Sequence, residues 1–419
     1  MKKIEVWADW KSLTTLEKVG TLTCAITRGK EVFSFEYEDS WLKSNYKFQI
    51  DPKLQLMKGA FYAPDKQENF GVFTDSSPDR WGRTLMLRRE ALLARQEKRS
   101  TKTLMTSDYL LGVYDKTRMG GLRFKMDDGP FLDDHNKHAT PPWASLRELE
   151  QASLSLEKDK DLEDPEVSKW LKLLVAPGSS LGGARPKASV IDPDDHLWIA
   201  KFPSQNDLHN VGGWEAVVHD LAKNCKINVA EAKVQKFGSD YHTFLVKRFD
   251  RTTEGQRIHF ASAMTLLERT DGDNSDSGAS YLEMVDFIIS NGKPDQVDQD
   301  LEELWKRIVF SIAVSNSDDH LRNHGFILND SGWILSPAYD INPNAAAEGL
   351  SLNISIESNA LDYELAKEVA SDFRIDNEKA DALIMQIKAE VGKWRSVAAK
   401  YGISRLEQDR MERAFRLSQ

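Results

Sequence analysis

The chain has 419 residues, 40% of them hydrophobic and 29% charged, with a formal net charge of −10; this is the make-up of a globular protein of about two to three domains, and it excludes a surface built broadly for nucleic acid. Its two cysteines, Cys24 and Cys225, lie far apart and form no CxxC or Cys/His pattern, which fits a reducing compartment and excludes a zinc site of that kind. No run approaches the ~20 apolar residues that span a bilayer, and MKKIEVWADW at the start lacks the apolar region of a signal peptide, so the expected setting is cytoplasmic with no membrane partner.

Residues 1 to about 60 alternate in the strand manner in four runs, KIEVWAD, GTLTCAIT, EVFSFEYE and YKFQID, with turn residues between them. That pattern predicts a small antiparallel β unit. TDSSPDRWGRTLMLRREALLARQEKR (74–99) opens on an N-cap-like cluster and continues helically. Eight Lys/Arg fall between Arg80 and Lys102, which reads either as a solvated helix face or as a phosphate or partner contact. The polar stretch 126–145, with Pro and Gly, is the best linker candidate. Short helices are expected at 145–156 and 164–174. In VAPGSSLGGARPKASVIDPDDHLWIAKF the runs KASVI and LWIAKF flank Asp-Pro-Asp-Asp, a hairpin signal. GGWEAVVHDLAKNCKI carries an amphipathic helical stripe, and YHTFLVKRFD is a strand running into a linker. From about 260 the pattern becomes helical, as in YLEMVDFIISNG and DQDLEELWKRIVFSIAVSNS, with a mobile acidic loop at 271–278. The last 27 residues hold seven Lys/Arg against three Asp/Glu and read as a solvated basic terminal helix. A β-rich half followed by a helical half predicts an α+β, two-lobed chain, divided as 1–135, 145–250 and 251–419.

Four features carry chemistry. Gly178, Gly182 and Gly183 sit in a loop that leads into a strand; glycines let backbone N–H groups approach an anion closely, although GxxxxGK[ST] is absent. Lys201 closes LWIAK, where alternation puts it on the face of Leu197 and Ile199. An inward ammonium needs an anion; a triphosphate would supply one, with Glu215 on the next helix as the resting partner, and a lysine snorkelling to water is the other reading. In SNSDDHLRNHGFIL (315–328), Asp318 and Asn323 stand five apart, the D-x-x-x-x-N spacing of a protein-kinase catalytic loop, in which the Asp takes the substrate hydroxyl proton and the Asn ligates Mg²⁺. Asp340 ends the strand run WILSPAYD twenty-two residues on, in the position of a second metal-binding Asp. A hydrogen-bonded polar turn would also account for 315–323 taken alone.

Together these segments resemble the HipA family of bacterial toxin kinases over nearly the whole chain. SPDRWGR and MGGLRF resemble its N-terminal part; GSSLGGARPKA, IAKFPS, GGWEAVVHDLA, VKRFDR, SNSDDHLRNHGFIL and LSPAYDINP resemble its kinase part. The resemblance implies a two-lobed protein-kinase-like fold and an ATP- and Mg²⁺-dependent Ser/Thr kinase that modifies a translation-machinery protein such as an aminoacyl-tRNA synthetase. It implies a small helix-turn-helix antitoxin as partner, with operator DNA engaged only through that complex. By position, Asp318 is the catalytic residue, Asn323 and Asp340 hold the metal, and Lys201 touches the phosphates. Gly182, Gly183 and Lys187 fall in the nucleotide set. Lys247 and Phe249 offer backbone groups to adenine, Asp250 reaches the ribose and His320 lines the site. Ser180, or its neighbour Ser179, is the autophosphorylation site that switches the kinase off. Many members carry Gln-Glu-Lys where this chain has Arg185-Pro186-Lys187, and Glu where it has Lys247. Two other readings stay open: a small-molecule kinase of the same fold, and a nucleotide-binding corepressor without turnover.

Overall fold

Alternating burial along residues 2–37 builds the N-terminal sheet. The structure is a computed structural model that describes residues 1–418 except 65–66, 128, 133–139, 159–168, 172–173, 175–182 and 184. Two compact units divide the chain. The first is Met1–Asn206 with Phe237–Ser239 and Lys247–Ala261; the second is Asp207–Lys236, Asp240–Val246 and Ser262–Gln419.

In the first unit, strands β1 (Lys2–Ala8), β2 (Glu17–Thr27), β3 (Lys30–Tyr37), β4 (Ala60–Tyr62) and β5 (Leu122–Met126) form one sheet in the order β4-β3-β2-β1-β5. Ile4, Val6, Leu22, Cys24, Phe33 and Phe35 point inward, each at most 2% exposed, as a period of two requires. Thr27 pairs with Lys30 across a two-residue turn in which Arg28 and Gly29 both have positive φ, the geometry that matches strand twist. The fourth expected strand, YKFQID, does not form. Asp51 there accepts from Lys53 N and Val72 N, while Gln49 donates to the Asp51 and Pro52 carbonyls. Side-chain capping of an Asp-Pro turn has replaced a ladder.

The predicted basic helix runs Arg80–Gln96, capped by Asp79, whose Oδ1 accepts from Gly82 N at 2.8 Å. Trp81, Leu85 and Leu92 are its buried side. Part of its charge is spent locally: Arg83 meets Glu68 at 3.1 Å, and Arg99, just past its end, meets Glu90 at 2.5 Å. The helix expected at 145–156 is Leu146–Lys158; the one expected at 164–174 lies largely outside the described residues. Strands β6 (Lys187–Ile191) and β7 (Leu197–Lys201) make the expected hairpin. Asp192 caps its turn by accepting from Asp194 N and His196 N.

A buried ion cluster closes the first unit. Asp250 and Arg248 are wholly enclosed, with 2.6 Å between them, and Arg251 reaches the same carboxylate at 2.6 Å. Asp250 also accepts from Gly120 N at 2.8 Å. Burial alone would raise the Asp250 carboxyl, but the two guanidiniums hold it well below the usual range. Asp115 joins Arg123 and Arg257 at 2.6 and 3.0 Å. The MGGLRF motif serves this join: Gly120 sits at φ 74, and a Cβ on Gly121 would come within 2.8 Å of the Trp10 ring.

β8 (Ala232–Gln235) pairs with β9 (Thr243–Lys247), the short β10 (Phe260–Ser262) begins in the first unit, and in the second unit strands β11 (Gly325–Asn329) and β12 (Gly332–Leu335) pair as a second hairpin. The centre of that unit is the helix Val297–Val314, polar in its first half and wholly buried from Arg307 onward, with Leu304, Trp305, Ile308, Val309, Phe310 and Ile312 inside. The basic tail is not a solvated helix. Phe415 stacks on Trp394 at 4.5 Å, and Arg395 pairs with Asp409 and Glu412. Nor is the 271–278 loop loose, since Ser275 N donates to Ser351 O and Asn353 Nδ2 donates to Ser275 O. Among the described residues no helix is long and apolar enough to cross a membrane.

Two stability outcomes are expected. Asp250→Asn leaves two enclosed guanidiniums short of a counter-charge, so a urea titration should show a loss of about 3–5 kcal/mol. Asp300, whose carboxylate accepts from Leu335 N at 2.9 Å, is pushed up by burial to about 6. Its ionised form therefore opposes folding, and the stability present below the unfolded value near 4 is lost as pH rises through 6. Asp300→Asn should raise Tm at pH 8 by about 2–4 °C and leave it unchanged at pH 4.

Candidate active site

The SNSDDHLRNH loop starts where the central helix is forced to stop. Ser315 takes a left-handed conformation (φ 52), Ser315 N donates to Ile312 O and Asn316 N donates to Ser311 O. This paired closure usually uses glycine. It delivers two adjacent acids to opposite environments. Asp318 has an 80% exposed side chain. Asp319 is buried, accepting from Tyr281 OH at 2.5 Å and Ser311 Oγ at 3.3 Å, with His324 Nε2 at 2.9 Å. Burial would raise the Asp319 carboxyl, but His324, Tyr281 and more distant His320 keep it below the usual range.

Asn323 Nδ2 donates to the Asp318 carbonyl at 2.6 Å, and His320 N donates to the same oxygen at 3.0 Å. The amide of Asn323 is thus fixed with its Oδ1 as the remaining ligand atom. His320 Nε2 stands 3.8 Å from Asp318 Oδ1. Asp340 reaches this neighbourhood through the β11–β12 hairpin. Phe326 pairs with Leu335 and Ser336 N donates to Gly325 O, so the chain leaving β12 runs back along the chain entering β11. Tyr339 OH then donates to Arg322 O at 2.8 Å. Asp340 itself holds φ 56, a conformation that costs a non-glycine residue about 1–2 kcal/mol and that Asp and Asn tolerate best.

This donor set suits a hard divalent cation. Asn323 and Asp340, the expected metal holders, offer oxygen ligands, which favours Mg²⁺ over softer metals. Two further amide oxygens nearby in sequence, Asn316 Oδ1 and Asn342 Oδ1, are buried without a hydrogen-bond partner. A second oxygen-and-imidazole group, Asp192, Asp194 and His196, has another use: both Asp192 oxygens accept from the hairpin's own N–H groups, Trp198 Nε1 among them.

The first unit holds the expected phosphate-side residues. Lys187 and Lys201 face each other across β6–β7, 2% and 8% exposed. Every residue of LWIAK is buried, so both faces of β7 are covered and alternation alone did not mark the inward one. Gly183 has φ 98; Gly178, Ser179, Ser180 and Gly182 lie outside the described residues. Arg248 N donates to Leu197 O at 2.9 Å, which sets the half-buried Lys247 and Phe249 beside β7. Asp250 does not face outward as a ribose contact would: guanidiniums and an amide occupy its carboxylate. Glu215 lies buried in the helix Val211–Asn224 of the second unit. Sequence reading missed Asp319 and Asn342; the doubled Asp and the Asn of Asp-Ile-Asn were their only traces.

Residues 179–394 match the HipA-like C-terminal domain and residues 13–107 the HipA N-terminal domain. A Haemophilus influenzae protein, provisionally named a kinase, is 26% identical over 181 residues, covering 39% of this chain and 52% of that protein. A Sinorhizobium fredii protein, also provisionally named a kinase, is 29% identical over 156 residues, covering 34% of this chain and 36% of that one. The chain thus spans about half or less of these relatives. Among solved structures, the HipA toxin of Shewanella oneidensis, determined with HipB and operator DNA, superposes with a TM-score of 0.63 at 16% identity, over 99% of this chain and 95% of that one. The fold is therefore α+β and HipA-like.

The contrast between the two acids is testable by denaturant titration. Asp319→Asn should cost about 1–3 kcal/mol because it breaks a buried network. Asp318→Asn should change stability by less than about 0.5 kcal/mol.

Proposed function

This chain belongs to the HipA family, and we propose that it is an ATP- and Mg²⁺-dependent Ser/Thr protein kinase, the toxin of a toxin–antitoxin pair. The observation that carries this reading is the loop that presents Asp318 to solvent while tying Asn323 to its carbonyl. A substrate hydroxyl oxygen attacks the γ-phosphorus, its proton passes to Asp318, and the bond to the bridging oxygen breaks to release ADP. Asn323 and Asp340 would hold Mg²⁺, which supplies neutralisation of phosphate charge. Lys201 and Lys187 bring positive charge for the phosphates, the backbone at Lys247 and Phe249 takes adenine, and His320 lines the nucleotide.

The proposed target is a protein of the translation machinery, in the manner of an aminoacyl-tRNA synthetase. Autophosphorylation at Ser180 or Ser179 would switch the kinase off, because a dianion there repels the bound triphosphate. A small helix-turn-helix antitoxin is the proposed partner. Operator DNA is engaged through it for autoregulation, which suits a chain of net charge −10.

Transfer of labelled phosphate from ATP to a cell extract, and to the protein itself, tests the reading. Asp318→Ala and Asp340→Ala should each lower transfer by about a hundredfold or more, with phosphate on Ser179 or Ser180 in the active protein by mass spectrometry. Undiminished transfer in both variants overturns the mechanism.

A further inference from the structure

Lys187 and Lys201 are directly opposed residues of an antiparallel pair, both buried. Like charges in that relation repel, and an enclosed ammonium needs a counter-charge. For Lys187 the counter-charge comes from far away in sequence. Asp79 Oδ2 stands 3.0 Å from Lys187 Nζ, with side chains 2% and 3% exposed. Asp79 is itself held, since its Oδ1 accepts from Gly82 N at 2.8 Å. Two residues on, Trp81 Nε1 donates to the Lys187 carbonyl at 3.1 Å. The start of the helix Arg80–Gln96 therefore grips the first residue of β6 by side chain and by backbone. The gripped ammonium also borders Gly183: a Cβ built there would lie 3.4 Å from Lys187 Nζ.

We infer that Asp79 is a positioning residue for nucleotide binding, which fixes the Lys187 ammonium beside Gly183 as a contact for a nucleotide phosphate; this rests on the kinase reading above. SPDRWGR then has a defined task. It lends the N-terminal part of the chain to the phosphate site, with Asp79 orienting the lysine and Trp81 setting the strand that carries it. Glu would keep the charge. Asn keeps the helix cap, because its side-chain oxygen accepts as well as that of Asp, but it loses the ion pair.

Titration of the full chain with a fluorescent ATP analogue and Mg²⁺, beside steady-state kinetics in ATP, tests this. Asp79→Asn should weaken nucleotide binding and raise KM for ATP by about tenfold, with kcat changed by less than about threefold, the pattern of lost ground-state binding. Asp79→Glu should recover part of the affinity. Lys187→Met should weaken binding similarly, and the double variant Asp79→Asn/Lys187→Met should bind no worse than Lys187→Met alone, because Asp79 acts through that lysine. Equal affinity in wild type and Asp79→Asn overturns the inference and leaves the kinase reading standing, as does a double variant with additive losses. No binding by the wild-type chain, with Lys201→Met indistinguishable from it, sinks the kinase reading itself. If Asp79→Asn alone fails to fold, the comparison of Lys187→Met with the double variant still decides.

Discussion

A charge that leaves water must be met by another, and much of this molecule is arranged around that demand. Asp250 is enclosed because Arg248, Arg251 and the Gly120 amide surround it. Asp115 is enclosed between Arg123 and Arg257. Asp79 answers Lys187, and Asp319 answers His324. Asp79–Lys187 and Asp115–Arg257 join segments distant in sequence, whereas Asp250 is met by guanidiniums one and two residues away; halving a buried ion pair is strongly destabilising, since an unmatched buried charge costs far more than the pair gains. These pairs act as locators, each within its own unit: they fix the segment Arg248–Arg251, the β6–β7 hairpin and the loop 315–324.

Burial also separates support from action. In the Asp-Asp of the 318–319 loop, the enclosed carboxylate fastens the loop to Tyr281 and Ser311, and the exposed one is the proposed proton acceptor. A group that accepts a substrate's proton has to stay within hydrogen-bond reach of that substrate. The residue that aims it has to be inside, where partners hold it to one geometry. Asn323 ties the loop further by donating one side-chain amide hydrogen to the Asp318 carbonyl. Asp340, in its left-handed backbone, is another position where local strain and proposed chemistry coincide, a conjunction common at active sites.

Much of this was legible in the chain itself. Strand alternation at 2–8, 17–27 and 30–37, the Asp-Pro-Asp-Asp hairpin and the buried helix at 297–314 follow from period and turn chemistry, which act over a few residues. So does the five-residue interval between Asp318 and Asn323, because two candidate residues on one loop are a local pattern. The failures were equally physical. YKFQID alternates as a strand should, but Asp51 offered its backbone better partners. The basic tail looked solvated because nothing local reveals that Phe415 will stack on Trp394.

What the residue order determined, then, was the repertoire: which segments are strands or helices, and which acids and lysines stand at spacings suited to phosphate and magnesium. Which of two adjacent aspartates goes inside, and that Asp79 meets a lysine 108 positions away, were decided by tertiary structure alone. Those outcomes depend on desolvation and on partners brought together only when the chain closes on itself, and neither has any signature in a short window of sequence.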